Sequence, residues 1–434
     1  MTLAVILDIT RLMSRGLRAS PTGIDRVELA YLDHLLERAD IDLRFVKATR
    51  FGVRLLDRRV GEAVLARTVA SWGLQARASS AGYRRALAFV HADTEGWDGA
   101  QASEPRVEAD VSVLRAAASY VGEAMSALVS SAAVSPAAVY INVAHSNLGA
   151  PALRHWLERT GVRSVFLVHD LIPITHPEYC RPGHADLHRQ RMETVALHGA
   201  VVIANSAMTR DVFLEFCRRS GLPQPRTVVG LLGIEPVFRS PEALPLFRAS
   251  DPYFVVLGTI EPRKNHLLLL QIWRDMVERD SAGTPRLIVI GRRGWENENI
   301  LDFLERCAAL KDHVMEASGL TDVEIAALMR NARGVLVPSF VEGFSLPVVE
   351  AEAVGVPVLA SDIPVHREVG GPHTQFLSPL DGLGWQEAIE QLAACKPELG
   401  PGGEVLADKA WPGHFEVLDR LLAEFGRRAR PPSV

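Results

Sequence analysis

The sequence predicts an α/β protein built of two doubly wound domains that face one cleft. Three observations carry this expectation. Short apolar runs suited to buried parallel strands alternate with amphipathic helical stretches along both halves. A proline-bearing stretch, Ser240-Pro241-Glu242-Ala243-Leu244-Pro245, interrupts the alternation as a domain linker does. Polar residues collect at the ends of the apolar runs, where an open parallel sheet presents its ligand crevice. The expected division is 1–245 and 246–410, with 411–434 as an amphipathic helix and a basic end.

The bulk properties bound the function. A chain of 434 residues is too long for one ordinary core. Its 48% hydrophobic and 23% charged residues fit a soluble globular protein, and a net charge of −5 gives nucleic-acid binding little electrostatic support. Cys180, Cys217, Cys307 and Cys395 form no CxxC, so neither a zinc site nor a disulfide framework is expected, and a reducing cytoplasm fits. The amino-terminal apolar run is closed by Asp8 and has no basic region before it, which marks a strand rather than a signal peptide. No apolar stretch approaches the roughly 20 residues that span a bilayer.

In the first half, residues 3–7 read as a strand, followed by a polar segment with Arg11 and then Thr22-Gly23 ahead of a helix. A glycine at this place can bring backbone close to a phosphate. Asp25 and Arg26 are either ligand-facing or simple first-turn helix charges. Residues 41–46 are the expected second strand, and the alanine- and arginine-rich 50–108 reads as irregular helices with a mobile loop. A helix is expected over 111–128 and a strand over 139–143, running to His145, for which a structural role is the simpler reading. The strand 165–168 runs into His169-Asp170 and sets two polar groups on the cleft rim. His169 is then a cleft residue or a core histidine bonded to backbone. The strand 201–204 ends at Asn205-Ser206, and Ser206 suits the cap of a helix over 208–216. Residues 227–231 are the last strand of this half.

The second half opens with a strand over Tyr253–Leu257 and the loop Gly258-Thr259-Ile260-Glu261-Pro262-Arg263-Lys264-Asn265. Two adjacent cations near a helix amino terminus oppose the helix dipole unless an anion is held there, and a diphosphate would compensate. Further strands are expected over Arg286–Ile290 and 313–316, the latter running into Gly319-Leu320 before Thr321 opens a helix. The stretch 334–371 organises the whole chain. Val335-Leu336-Val337 is a strand, Glu342-Gly343-Phe344-Ser345 a loop, and Leu346-Pro347 the start of a helix that stops at Gly355-Val356-Pro357 before the strand Val358-Leu359-Ala360. Ser345 suits the N-cap. Backbone amides at this strand-to-helix turn favour a phosphate, and Glu342 and Glu350 can border the same cleft, one on sugar hydroxyls and one on a ribose.

The run EGFSLPVVEAEAVGVPVLASD resembles the E-x7-E segment of retaining glycosyltransferases of family 4, a GT-B class that uses nucleotide-activated sugars. Ser345 stands where that family often has glycine. TGIDRV resembles the family's GGIxR, which implies that Gly23 approaches the donor diphosphate. The His169-Asp170 step implies that His169 lies against the donor sugar. Lys264 falls on a family lysine that holds the donor phosphates, whereas Thr259 stands where an arginine is expected and Arg263 is the candidate replacement. The resemblance further places the nucleobase against Gly319-Leu320, the acceptor near Asn205-Ser206 and Arg210, with a loop of His176, Glu178, Tyr179 and His184 facing it, and the final helix back across the first domain. HDLIPITHPEYC is similar to mannosyltransferases of bacterial polysaccharide and lipopolysaccharide assembly.

What the resemblance implies is a GT-B architecture of two Rossmann-like domains and a retaining transfer of hexose, mannose from GDP-mannose, to a glycan or lipid-linked saccharide. The catalytic set is then His169, Arg263, Lys264 and Glu342, and the donor-binding set Gly23, Thr259, Gly319, Leu320, Gly343, Phe344, Ser345, Leu346 and Glu350. The nucleotide sugar is a substrate, and no cofactor is expected. No metal is expected either, because Asp40-Ile41-Asp42 leads into a strand instead of following one. The localisation expected is cytoplasmic, with contact at the inner face of the membrane through the Arg427-Arg428-Ala429-Arg430 end. Alternatives are a UDP- or dTDP-sugar donor and a catalytically degenerate binding protein.

Overall fold

The computed structural model describes residues 2–15, 22–49, 51–76, 80–93, 134–240, 244, 247–395 and 410–428. The first sheet takes β1 (Leu3–Asp8), β2 (Ile41–Thr49), β3 (Gly52–Leu56), β5 (Val139–Asn142), β6 (Arg163–Val168), β7 (Gly199–Ala204) and β8 (Arg226–Val229). Its order is β3-β2-β1-β5-β6-β7-β8, parallel except where β3 folds back on β2. The second takes β10 (Tyr253–Leu257), β11 (Arg286–Ile290), β12 (Val314–Ala317), β13 (Gly334–Val337), β14 (Val358–Ser361) and β15 (Thr374–Leu377), in the order β12-β11-β10-β13-β14-β15 and parallel throughout. A small antiparallel pair joins β4 (Ala92–Asp93) to β9 (Arg248–Ala249).

The helices of the first half are α1 (Thr10–Arg15), α2 (Gly23–Glu37), α3 (Arg58–Ala76), α4 (Ala81–Phe89), α5 (Pro151–Thr160), α6 (Ile172–Thr175), α7 (His184–His198), α8 (Ala207–Arg219) and α9 (Pro236–Arg239). Those of the second are α10 (His266–Asp280), α11 (Glu298–Arg306), α12 (Asp322–Asn331), α13 (Leu346–Val354), α14 (Pro364–Val369), α15 (Gly382–Ala394) and α16 (Trp411–Arg428).

The strands read as unbroken apolar runs because helices cover both faces of each sheet. In β10, Phe254 and Val256 join one layer with Trp273 and Trp385, while Tyr253 and Val255 join the opposite layer, which is continuous with Val5, Leu7 and Val165 of the first sheet. Both sheets reverse their winding at a switch point, between β1 and β5 in the first and between β10 and β13 in the second. Loops that leave adjacent strands on either side of such a point diverge to opposite faces and open a crevice at the carboxyl ends. The loops after β10 and β13 are therefore neighbours in space although about eighty residues separate them in the chain, as the Lys264–Glu342 contact shows.

The last helix returns to the first domain. Tyr31 of α2 donates its hydroxyl to His414 Nε2 at 2.7 Å, His34 stacks on Phe415 at 4.0 Å between ring centres, and Arg226 pairs with Glu424 at 2.5 Å. Leu418, Leu421, Leu422 and Phe425 are buried beneath it.

Two expectations need correction. Residues 50–108 are not irregular where described: they hold β3, the long helix α3, α4 and β4. Nor does a division at 245 describe where residues 80–93 pack. Ser80 donates its amide to Glu324 at 2.6 Å, Phe89 lies under the Arg286 guanidinium, His91 pairs with Asp251, and β4 pairs with β9, so this segment of the first half lies on the second domain. The expected helix over 111–128 and the residues beyond 428 lie outside the described residues.

Candidate active site

A cleft of about 690 Å³ separates the carboxyl ends of the two sheets. Its second-domain wall is built from the loops after β10 and β13. Glu342 is at their junction, buried to 5% exposure. Its Oε1 accepts from Lys264 Nζ at 2.5 Å and from the Ser339 hydroxyl at 2.8 Å, and its Oε2 from Arg263 Nη1 at 2.6 Å. The Arg263 Nε meets Glu261 at 2.6 Å. Burial alone would raise the Glu342 carboxyl, but Arg263 and Lys264 overcome it and hold the group well below the usual carboxylate range. Glu261 is pushed up by burial, against the pull of the same two cations. The result is a four-membered chain of alternating charge, Glu261–Arg263–Glu342–Lys264. Thr259 also lies on this wall.

The amino terminus of α13 opens into the cleft beside Glu342, and Gly343, Phe344, Ser345 and Leu346 line it there. Ser345 precedes α13 as expected, but its side chain does not cap it. The residue has φ +75°, the left-handed region, and its buried Oγ has no partner. This conformation accounts for glycine at the same place in the E-x7-E pattern, since only glycine adopts it without cost. Gly343 also has a different partner from the expected ligand. A Cβ there would run into the His169 carbonyl of the first domain. The Gly343 carbonyl accepts from Ser206 Oγ at 2.8 Å and Thr209 Oγ1 at 3.1 Å, which ties the two domains together at the floor of the cleft. Ser206 is an N-cap as well, accepting from the Thr209 amide at 3.0 Å.

Glu350 sits further along the same wall, on the second turn of α13. It is buried, not a solvated helix charge. Its Oε1 accepts from Arg26 Nη1 at 3.3 Å, and Arg26 Nη2 also bonds Asp322. Arg26 therefore reaches across from α2 in the first domain and is no ordinary first-turn charge. Burial pushes the Glu350 carboxyl up to about 7; Arg26 and Lys264 pull it down, whereas Asp322 and Glu235 add to the rise. Gly319 and Leu320, after β12, form the neighbouring part of the wall.

The first-domain wall sets the neutral Gly23, His169 and Asn205 beside the charged Arg11, Arg26 and Asp170. His169 is both cleft-lining and bonded to backbone, its Nε2–H donating to the Val143 carbonyl at 2.7 Å. A carbonyl can only accept, so in the neutral ring Nδ1 carries the lone pair. Burial lowers the histidine's pKa and favours that neutral form. Asn205 donates to the His169 carbonyl at 2.9 Å. Gly23 lines the cleft at the start of α2, whose first turn is fixed by the Thr22–Asp25 capping box. His145 is buried behind His169 and bonded to the Leu167 carbonyl at 2.9 Å, in keeping with a structural role. Arg210 does not line the cleft; it is paired with Asp211 at 2.8 Å. The expected acceptor loop is a short helix and turn, where the Tyr179 carbonyl accepts from Trp295 at 2.9 Å and the Tyr179 ring stacks on Phe340 of the second domain. Asp40 and Asp42 are taken by Arg38 and Arg44.

Arg11, Trp72, Glu261, Trp295 and Asp322 also line the cleft and were not singled out from the sequence. Arg11 and Glu261 each follow the first strand of their domain, so their position after the strand was the available signal. Nothing in the local pattern around Trp72 points to a cleft.

Residues 244–392 match the family model described as glycosyl transferases group 1. The chain is 27% identical over 284 residues to the serotype-specific mannosyltransferase WbdA of Escherichia coli, covering 61% of this chain and 34% of that one. It is 33% identical over 238 residues to the O-antigen chain mannosyltransferase B of Escherichia coli, covering 53% of this chain and 60% of that one. The chain thus spans about a third of the length of the first relative and under two thirds of the second. Among solved structures, the α,α-trehalose 6-phosphate synthase of Burkholderia multivorans superposes with a TM-score of 0.59 at 13% identity, over 100% of both chains, which shows the shared fold. Residues 244–392 are thus a group 1 glycosyl transferase domain, within a chain of GT-B architecture whose two Rossmann-like sheets face the cleft just described.

Proposed function

We propose that this chain is a retaining glycosyltransferase that moves mannose from GDP-mannose to a glycan or lipid-linked saccharide. The observation that carries the reading is the convergence, in one interdomain cleft, of an open helix amino terminus, a buried Lys264–Glu342–Arg263 cluster and a second carboxylate, Glu350. The helix terminus and the cations suit a diphosphate; an acceptor-only carboxylate suits the vicinal hydroxyls of a ribose. The two named mannosyltransferase relatives support mannose as the sugar.

The chemistry follows from charge. As the bond between the sugar and the diphosphate breaks, negative charge grows on the leaving phosphate. Amides of residues 343–346 and the Lys264 ammonium stand ready to meet it without reorganising, and one such donor is typically worth about 10²–10³ in turnover. Arg263 backs Glu342 and keeps that carboxylate ionised beside the sugar. The neutral His169 offers its Nδ1 lone pair from the opposite wall. In a front-face transfer the leaving oxygen takes the acceptor's proton, and the protein contributes orientation and electrostatics.

The test is a thermal-shift titration with GDP, UDP, dTDP and ADP, since a ligand that binds only the folded chain raises its melting temperature. Selective stabilisation by GDP, followed by mannose transfer with retained anomeric configuration in proton NMR, is the expected result. A preference for UDP or dTDP removes GDP-mannose as the donor, and no response to any of the four overturns the donor-site reading. His169→Ala is expected to lower turnover by more than it weakens nucleotide binding.

A further inference from the structure

We propose that Arg26 is a positioning residue of the donor site: from the first domain it orients Glu350 and supplies its counter-charge, so that the ribose-binding carboxylate is competent only while the two domains stand together. The proposal rests on the donor-site reading above.

The geometry carries it. Arg26 lies on the first turn of α2, 324 residues from Glu350 in the chain, yet its guanidinium spans the cleft to both Glu350 and Asp322 of the second domain. Its own backbone is anchored. Thr22 and Asp25 close a capping box at the start of α2, and Asp25 is gripped in turn by Arg11 at 2.5 Å. Glu350 uses only Oε1 for Arg26; among the described residues no hydrogen bond reaches Oε2, which leaves it for a ligand in the cleft.

Every charged group facing Glu350 matters here. Asp322 at the start of α12 and Glu235 just ahead of α9 repel its charge, Arg26 from α2 attracts it, and Lys264 after β10 attracts it less. Without Arg26, a buried carboxylate would face two acids with only the more weakly coupled Lys264 in compensation. It would take up a proton, lose its fixed orientation and turn one acceptor into a donor. A mere adhesive role for Arg26 makes a different prediction: loss of domain contact weakens binding equally at every pH.

The experiment is calorimetric titration of GDP and of UDP into the full chain between pH 6 and 9, for wild type, Arg26→Ala, Arg26→Lys, Glu350→Gln and the Arg26→Ala/Glu350→Gln double variant. With Glu350 titrating at about 7, wild-type affinity for the nucleotide that binds is expected to rise about tenfold from pH 6 to 8. Arg26→Ala is expected to bind about tenfold or more weakly at pH 7 and to move the acid limb to higher pH, and Arg26→Lys to move it back. Glu350→Gln is expected to flatten the profile, and the double variant to bind no more weakly than Glu350→Gln. Should Arg26→Ala not fold, Arg26→Gln, which keeps the side-chain bulk, carries the same comparison. The proposal is overturned if Arg26→Ala keeps the wild-type profile, or loses affinity uniformly with pH and additively with Glu350→Gln. If instead Glu350→Gln binds both nucleotides as wild type does, the donor-site reading falls and the proposal with it.

Discussion

Glu342 and Glu350 stand eight positions apart on one wall of one cleft, both buried, and their surroundings are opposite. At the Glu342 end, two cations from the loop after β10 close on one carboxylate and force it to stay ionised. At the Glu350 end, one cation arrives from the other domain while two acids crowd in, and the carboxyl is left near neutrality at about 7. The same residue type in one motif thus does two jobs. Glu342 is part of a self-contained charged scaffold within the second domain, and Glu350 answers to where the first domain is. What separates them is not local sequence but which distant segments the two switch points bring alongside.

The largest expected effect breaks the scaffold end. Glu342→Gln leaves Arg263 and Lys264 without a shared counter-charge in a buried place, which should cost about 3–5 kcal/mol in denaturant-induced unfolding. A loss below about 1 kcal/mol would mean that the cations are solvated and that the two ends do not differ as described. Next, Lys264→Met should lower turnover by about 10²–10³ in steady-state kinetics, as for the loss of one preorganised stabilising group. An effect on donor KM alone would make the lysine a binding residue only.

Glu350 gives the sign test. Its folded pKa, about 7, lies above its ordinary value of 4.5, so the native state binds more protons than the unfolded chain between those values. Ionised Glu350 therefore costs stability as pH rises through that window, and the cost is complete above about pH 7. Glu350→Gln should become more favourable relative to wild type by up to about 3 kcal/mol between pH 4.5 and 8, read from unfolding curves at each pH. Glu342 has the opposite sign: with its pKa depressed, its contribution is present above the ordinary carboxylate value and lost only as pH falls towards the folded one. The smallest effect is at the turn between the two glutamates. Ser345→Gly removes a non-glycine residue at φ +75° and an unpartnered buried hydroxyl, and should stabilise the ligand-free chain by about 1 kcal/mol.

These differences set what could be read from the sequence. β10 and β11 fall on their expected residues, and β13, α13 and β14 within a residue or so, because buried parallel strands are short apolar runs and Pro347 and Gly355 punctuate the helix between them. The residues expected as catalytic and donor-binding all line the cleft, whereas of those expected at the acceptor side only Asn205 does. Residues 58–76 were missed as a regular helix because alanines, arginines and glycines there give no apolar stripe, and the helix is held by packing on β2 and α2 instead. The docking of residues 80–93 on the second domain has no local signature at all. Nor has the Arg26–Glu350 pair, since a motif states which side chains are present and not which residue 324 positions away will neutralise them. Ser345 shows the reverse failure. Its residue type suits a cap, but the left-handed backbone turns its hydroxyl away.

The contrast between the two glutamates is tested most directly by carbon-13 NMR of the chain labelled at the glutamate carboxyl carbon, titrated from pH 4 to 9 and assigned by difference against Glu342→Gln and Glu350→Gln. The predicted result is one resonance that titrates near pH 7 and vanishes in Glu350→Gln, and another that vanishes in Glu342→Gln and stays ionised throughout. Two resonances that both titrate between about pH 4 and 5, as ordinary exposed glutamates do, would contradict it.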